Sequence, residues 1–346
     1  PEAIVMSLIP PVNLDANSET DPVSDRSRRT FLAGLGILLG SGLVAAPLMA
    51  TAARWTEPPH VPHPIPSRAP TISRPQPRSE IITLNATILR YLSDLRRTGR
   101  LAANERTAWL VYDFTSQRYL ASINADLAYQ SASMIKPFIA LAFFNKVREG
   151  TLQYTAYHRT RMEAMIQRSD NQATNYFIAL LDQTSRRSGP AEAEYTLKRR
   201  QPHIFRHTRI VERIPAGGRS YRNRASALDY HRFLMALWYE QLPYAAELKR
   251  LMHLPNRDRI YTEAAGVARQ TQVFDKTGTT AQLCGDMGIL VARGRDGRSY
   301  PYTFIGIIEK GRSARDYGGW KEARGDVIRA VSSIAYRHLR QMHDLV

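Results

Sequence analysis

Apolar residues recur at regular intervals only in the later part of the chain. Between residues 81 and 95 they fall at helical spacing, and Gly99 then supplies a helix stop signal. Residues 107–114 and Arg118–Ile123 are rich in β-branched and aromatic side chains and flank a short polar link. This part of the sequence therefore predicts one helix followed by a β-hairpin.

The middle of the chain has the pattern of packed helices. Residues 134–144 are strongly apolar and predict a buried helix. Residues 161–181 predict a second helical region, and 225–237 and 245–251 predict two shorter helices. Residues 182–225 are polar, basic and without a clear period, so they predict a long loop.

The C-terminal part returns to strands. Residues 272–277, 288–292 and 303–309 predict three strands, and 325–342 predict an amphipathic closing helix. The order of these elements predicts an α+β fold in which both chain ends build one antiparallel sheet of about five strands. N- and C-terminal helices are expected to flank this sheet. A mostly helical lobe, covering roughly 130–265, is expected to be inserted in the α/β lobe.

The N-terminal part has a different pattern. Arg28 and Arg29 precede an apolar, glycine-rich run over 31–49, and small residues with the look of a cleavage site follow it. These features predict a twin-arginine export signal over 1–53, and hence a periplasmic or extracellular protein. The alternative is an uncleaved N-terminal membrane anchor, since about 19 apolar residues can cross a bilayer. The proline-rich segment 54–79 predicts an extended linker.

Composition narrows the class of protein. With 346 residues, of which 43% are hydrophobic, the chain can build one well-cored domain with extra segments, or two small domains. The net charge of +17 rests mainly on arginine, because seven of the 48 basic residues are lysine. No zinc-finger spacing or localised basic helix accompanies this charge, so no nucleic-acid partner is expected. The single cysteine, Cys284, excludes an intramolecular disulfide within this sequence.

Ser133 and Lys136 form the first candidate catalytic motif. They stand three residues apart where a loop enters the apolar helix, so they are expected to share one helix face. Unpaired amides at a helix N-terminus favour negative charge on a serine, and apolar neighbours lower the pKa of an amine. The pair thus fits a nucleophile with its base. Alone, the motif is equally explained by a capping serine and a surface lysine.

Two further motifs follow at a distance along the chain. The first is Ser169-Asp170-Asn171, and the second is Lys276-Thr277-Gly278-Thr279-Thr280 at the end of a predicted strand. Taken singly, these are explained by a helix cap and by a lysine before a turn. All three motifs in this order resemble the penicillin-recognising serine hydrolases, most closely the branch related to class A β-lactamases. The resemblance runs from about residue 81 to the C-terminus and makes 80–346 the catalytic domain.

The resemblance implies a role for each catalytic position. Ser133 matches the acylated serine, and Lys136 matches the lysine that draws off its proton. Ser169 matches the residue that relays a proton to the leaving nitrogen. Asn171 matches the side chain that hydrogen-bonds the substrate amide and the motif lysine.

It also implies a substrate-binding set on the strand. Lys276 matches the cation that attracts the substrate carboxylate, and Thr277 and Thr279 match hydroxyls that bind it, on either side of Gly278. The backbone amides of Ser133 and Thr279 would form the oxyanion hole. Expected substrates are β-lactams or D-alanyl-D-alanine peptides, with peptidoglycan as a further partner. No metal and no cofactor are implied, membrane contact is expected only through the signal segment, and the protein is expected to be a monomer.

Two departures from class A β-lactamases affect the expected activity. Ser133 and Ser169 are closer in sequence than is typical, so helices between these motifs must be shortened or missing. The usual glutamate-proline run that carries the deacylation base is absent, and Glu212 is the nearest substitute. The leading hypothesis is a serine β-lactamase-like hydrolase. The alternatives are a D-alanyl-D-alanine carboxypeptidase or endopeptidase and a non-catalytic β-lactam-binding or wall-binding domain.

Overall fold

A computed structural model of the chain describes residues 78–219 and 221–346. The predicted export signal, and all but the last two residues of the predicted linker, lie outside the described residues. Within this part of the chain, no helix is both long and apolar enough to cross a bilayer. The helices and strands follow in the order α1 (Arg78–Arg97), β1 (Glu105–Asp113), β2 (Arg118–Ile123), β3 (Ala128–Gln130), α2 (Lys136–Arg148), α3 (Ala156–Ile166), α4 (Asn171–Asp182), α5 (Gly189–Arg200), β4 (Arg224–Ser226), α6 (Ala227–Trp238), α7 (Ala245–Met252), β5 (Gln272–Thr279), β6 (Leu283–Arg293), β7 (Ser299–Lys310) and α8 (Tyr317–His343).

The main sheet confirms the predicted α+β architecture. Five antiparallel strands lie in the order β2-β1-β7-β6-β5, so strands from both chain ends form one sheet. The strand β7 lies in the middle and pairs with β1 from Glu105↔Lys310 to Asp113↔Tyr302. β3 and β4 form a separate two-stranded sheet that joins the segment before α2 to the segment before α6.

The sheet separates two hydrophobic cores. Trp109 of β1 lies in the core shared with α1 and α8, whereas its neighbour Leu110 lies in the core shared with the helical lobe. Successive side chains of a strand point to opposite faces, and here both faces are covered. The inner strands are therefore apolar along nearly their whole length, as in β6, where all residues but the last are buried.

The helix α2 lies at the centre of the helical lobe. Its apolar residues surround the helix, and each residue from Lys136 to Lys146 is buried. The Phe138 ring packs against Phe205, Tyr230 and Phe233, with ring centroids 4.8 to 5.3 Å apart. A helix buried on all sides is held firmly, which fixes the place of the residues at its N-terminus.

Two predictions for the middle of the chain are wrong in detail. The predicted loop over 182–225 contains the helix α5, whose buried face includes the charged residue Glu192. This carboxylate lies 2.7 Å from the Lys146 ammonium, so polar pairing replaces the apolar stripe that would have shown a helix. The predicted single helical region over 161–181 is two helices, because Ser169 has a left-handed backbone with φ of 57°.

A buried ion pair ties the first strand to the last helix. Glu105 of β1 is 1% exposed and accepts hydrogen bonds from Trp320 and Arg324 of α8 at 2.6 to 2.7 Å. The Glu105 carboxylate also accepts a hydrogen bond from the backbone amide of Ala102 at 2.8 Å. Burial alone would raise the pKa of Glu105, but these hydrogen bonds outweigh burial and lower it.

Removing this carboxylate is expected to be strongly destabilising. Glu105→Ala leaves the Arg324 charge buried without its partner, which costs about 3–5 kcal/mol in comparable cases. The matched control is Asp94→Ala, because Asp94 forms an exposed ion pair with Arg97 whose loss costs about 0.5 kcal/mol. Urea unfolding followed by circular dichroism measures both. Equal and small losses would contradict the role given to Glu105.

Candidate active site

Ser133 lies on a short 3₁₀ turn, not on the helix that follows. The turn spans Ala132–Ile135 and leads directly into α2 at Lys136. Ala132 has a left-handed backbone with φ of 45°, an unfavourable conformation for a residue with a Cβ atom. Such strain is found mainly where the surrounding structure enforces it, often at functional sites.

A glycine lets the edge strand pack against this turn. A Cβ atom on Gly278 of β5 would lie 2.9 Å from the Met134 side chain and 3.2 Å from Ala132. These two residues flank Ser133, so any larger residue at 278 would push the strand away from the serine. Gly278 is thus placed to bring the end of β5 close to Ser133.

The Lys136 side chain is buried and hydrogen-bonded to the second motif. The residue is 0% exposed, and its amine donates to the Ser169 carbonyl at 2.5 Å, the Ser169 hydroxyl at 3.1 Å and the Asn171 side chain at 2.9 Å. Burial lowers the pKa of Lys136 to about 7, with the positive charge of Lys276 adding to the shift and Asp170 opposing it. The ammonium can therefore lose a proton near neutral pH, after which the amine donates two of these bonds and offers its lone pair as a base.

The second motif occupies the turn between α3 and α4. Ser169 takes the left-handed backbone there, and the Asp170 side chain caps α4 by accepting from the Ala173 amide at 2.8 Å. Asn171 is the first residue of α4. The cap and the turn together direct Ser169 and Asn171 toward the Lys136 amine.

Lys276 lies on β5, 3% exposed, in a cluster of buried charges. Burial lowers its pKa, opposed by the negative charges of Asp275 and Asp286. Burial also raises the pKa of both carboxyl groups, with the Asp258 charge adding to each shift. Among the described residues none forms an ion pair with Lys276, whose ammonium donates to the Thr277 carbonyl at 3.1 Å. A buried ammonium of this kind suits an incoming carboxylate.

The threonines of the third motif continue along the strand. The Thr279 hydroxyl accepts a hydrogen bond from Arg259 at 2.8 Å, which leaves its own hydrogen to donate elsewhere. Thr277 precedes Gly278 and pairs across the sheet with Asp286. The end of β5 thus places two hydroxyls and one ammonium beside the serine turn.

Residues of all three motifs meet at one cavity of about 740 Å³. Ser133, Ser169, Asn171 and Thr279 contribute to its wall. The Lys136 amine is hydrogen-bonded to Ser169 and Asn171. The positive charge of Lys276 is close enough to lower the pKa of Lys136. The structure therefore brings together the serine, the two lysines and the carboxamide that the sequence singled out.

The predicted site residues outside the cavity wall are Lys136, Glu212, Lys276, Thr277 and Gly278, and of these Glu212 belongs to none of the three motifs. Its carboxylate accepts from the backbone amide of Arg222 at 2.9 Å, and its own backbone is bound by the Asn223 side chain. Two residues further on, Ile214 lines the cavity and is 5% exposed. The Asn175 side chain fixes this orientation by bonding the Ile214 carbonyl at 2.7 Å and its amide at 2.9 Å.

Apart from Thr280, which belongs to the third motif, the rest of the wall was not found from the sequence. One side is a loop after Ile214, and the other is the segment between β7 and α8 together with the residues after β5. Neither segment has a hydrophobic period, and their residues are small, polar or aromatic. The additional lining residues are Ala132, Ile214, Gly217, Gly218, Arg219, Tyr221, Thr280, Ala281, Ser313, Ala314 and Tyr317.

Solved structures that share this fold include penicillin-binding proteins and β-lactamases. PBP-A superposes with a TM-score of 0.60 at 22% identity, over 78% of this chain and 100% of that chain. A PBP-A mutant captured as an acyl-enzyme complex with penicillin G gives 0.59 at 21% identity, over 77% and 99%. A β-lactamase from Desulfarculus baarsii gives 0.58 at 19% identity, over 74% and 98%. At these identities the likeness establishes the fold.

The sequence itself gives the family. No match was found among curated proteins. The sequence profile of the beta-lactamase enzyme family matches residues 92–159 and 157–339, which is more than half of the chain and includes all three motifs. With the shared fold and the motif residues gathered at one cavity, this match shows that the chain belongs to the beta-lactamase enzyme family.

Proposed function

We propose that the protein is an acyl-serine enzyme of the penicillin-binding, D,D-peptidase-like type, which acylates Ser133 and deacylates slowly after reaction with a β-lactam. One observation carries the proposal. The buried Lys136 amine meets Ser169 and Asn171 beside Ser133, in a cavity whose described lining residues include no aspartate or glutamate. Lys136 thus provides a base for acylation. The described lining residues include no carboxylate that could activate water for deacylation.

The acylation step follows from these positions. The Ser133 oxygen attacks the acyl carbon of a D-alanyl-D-alanine peptide or a β-lactam, and its proton passes to neutral Lys136. The carbon–nitrogen bond of the donor then breaks, and Ser169, hydrogen-bonded to Lys136, relays the proton to the leaving nitrogen. The backbone amides of Ser133 and Thr279 stabilise the oxyanion, a contribution of about 10²–10³ in rate per donor. Lys276, Thr277 and Thr279 bind the carboxylate of the donor.

The structural likeness to PBP-A supports a penicillin-binding type of enzyme. A mutant of that protein forms an acyl-enzyme complex with penicillin G. A β-lactamase is the alternative within the same family, and it requires a group that turns the acyl-enzyme over. A degenerate β-lactam-binding or wall-binding domain is the non-catalytic alternative, and it predicts slow acylation or none.

Labelling with a fluorescent penicillin distinguishes these functions. We expect one covalent equivalent per chain, located on Ser133 by mass spectrometry of the digested protein, with little hydrolysis of a chromogenic cephalosporin. Ser133→Ala is the matched control and is expected to take up no label. Rapid hydrolysis without accumulated label would identify a β-lactamase instead, and the absence of label from the native protein would exclude both enzymes.

The pH dependence of acylation tests the role of Lys136. Because the amine must be neutral, the acylation rate constant is expected to rise with pH through about 7. It should fall again at more alkaline pH, where Lys276, its pKa lowered by burial, loses the charge that attracts the donor. Stopped-flow fluorescence between about pH 5 and 10 measures both limbs.

Asp170→Asn provides the control for this profile. The Asp170 charge raises the pKa of Lys136, so its removal is expected to move the rising limb to lower pH. Asparagine retains the cap of α4, which keeps the turn in place. An acylation rate that does not change across neutral pH in the native protein would remove Lys136 as the base.

A carboxylate introduced at Ile214 tests the slow deacylation. Ile214→Glu is expected to shorten the acyl-enzyme lifetime about tenfold or more, since a placed general base contributes about 10²–10⁴. Ile214→Gln has the same shape without the charge and is expected to give no such gain. The lifetime is read from the loss of fluorescent label with time.

Glu212→Gln tests whether the native Glu212 carboxylate takes part in deacylation. Because its carboxylate accepts from the Arg222 amide outside the cavity wall, its loss is expected to leave the lifetime within about twofold, as for a residue outside a site. A lifetime that lengthened strongly in Glu212→Gln would restore Glu212 as the deacylation base and contradict the slow native step.

A further inference from the structure

The loop that forms part of the cavity wall includes a cationic residue, Arg219. Gly217 and Gly218 both have left-handed backbones, with φ of 78° and 69°, and they bend the chain sharply. A Cβ atom on Gly218 would lie 3.0 Å from the Asn171 carboxamide, so the bend packs directly on the second motif. The next residue, Arg219, contributes to the cavity wall.

The charge of Arg219 has no acidic partner among the described residues. The lining residues include no aspartate or glutamate, and no described acid lies within ion-pair distance of this guanidinium. The neighbouring Arg213 differs, since it pairs with Asp182 on the outside of the loop. Arg219 therefore adds an uncompensated positive charge to the wall, where it can pair with an anionic group of a ligand.

Two cationic residues, Lys276 and Arg219, are then available to bind different parts of an acyl donor. Lys276, on β5, suits the carboxylate of the leaving half, whereas Arg219 follows Gly218, which packs on Asn171, the residue matched to the amide of the acyl half. The cavity of about 740 Å³ can hold a donor with both groups. A guanidinium binds carboxylates in a fixed, often bidentate geometry, so it selects as well as attracts.

We infer that Arg219 is a specificity residue that favours acyl donors carrying a second carboxylate in their acyl half. This inference rests on the proposed acylation of Ser133. The substrate class is a D-alanyl peptide with a free carboxylate on the residues that precede the cleaved bond. Among β-lactams, the corresponding compounds bear a carboxylate on the acylamino side chain.

A matched pair of penicillins tests the inference. Benzylpenicillin and carbenicillin differ by one carboxylate on the side-chain carbon next to the amide. The native protein is expected to acylate with carbenicillin in preference to benzylpenicillin. In Arg219→Gln the ratio of the two second-order rate constants is expected to fall about tenfold, the effect of one charge-assisted pair. Competition with a fluorescent penicillin measures each constant.

Arg222→Gln is the matched control. It removes the same charge from the same loop, but Arg222 does not line the cavity, so the ratio is expected to stay within about twofold of native at moderate salt. Thermal melting of each variant confirms that it is folded. Arg219→Glu, which reverses the charge, is expected to lower the ratio further.

The outcomes separate this inference from the proposed function. Covalent labelling by both penicillins with an unchanged ratio in Arg219→Gln overturns the specificity role alone. An equal fall in Arg222→Gln also overturns it, because the effect would then come from net charge. If neither penicillin labels Ser133 in the native protein, the proposed function fails and this inference fails with it.

Discussion

The burial of one amine between the helical lobe and the sheet constrains the whole site. Lys136 is the first residue of a helix that is packed on all sides, so its backbone cannot move without disturbing the lobe core. Its amine is satisfied by Ser169 and Asn171, which come from a separate helix junction. Because a buried amine without partners is costly, the two junctions must stay together. The same burial lowers the pKa of the lysine, as its proposed role as a base requires.

Two of the strained backbone positions lie where these two segments meet. Ala132 and Ser169 both take left-handed conformations, each next to or at a residue of the proposed mechanism. Such conformations cost of order 1–3 kcal/mol and persist where surrounding contacts fix them. Here the contacts are the packed helix α2, the Asp170 cap and the close approach of Gly278 to the serine turn. The strain is therefore part of how two distant motifs reach one cavity.

The sequence predicted the sheet and the three motifs because both have strong local signals. Apolar strands at the two chain ends indicate one sheet, and the motif residues fall at fixed spacings. The helix α5 was missed because its buried face carries Glu192, which is paired with Lys146, in place of an apolar stripe. The position of Glu212 outside the cavity wall, with Ile214 in the wall, could not be read from the sequence. It is set by hydrogen bonds to Asn175 and Asn223, which are distant in sequence and leave no periodic signal.

The central place of β7 has a consequence for how the chain reaches its native state. β1 appears early in synthesis, yet its partner across the middle of the sheet, as in Glu105↔Lys310, is made near the end. Until then one edge of the β1–β2 hairpin is open, and such an edge favours pairing with other chains. Contacts this distant in sequence also slow folding, because a long loop must close before they form. That edge of β1 is therefore open to such pairing until β7 has been made.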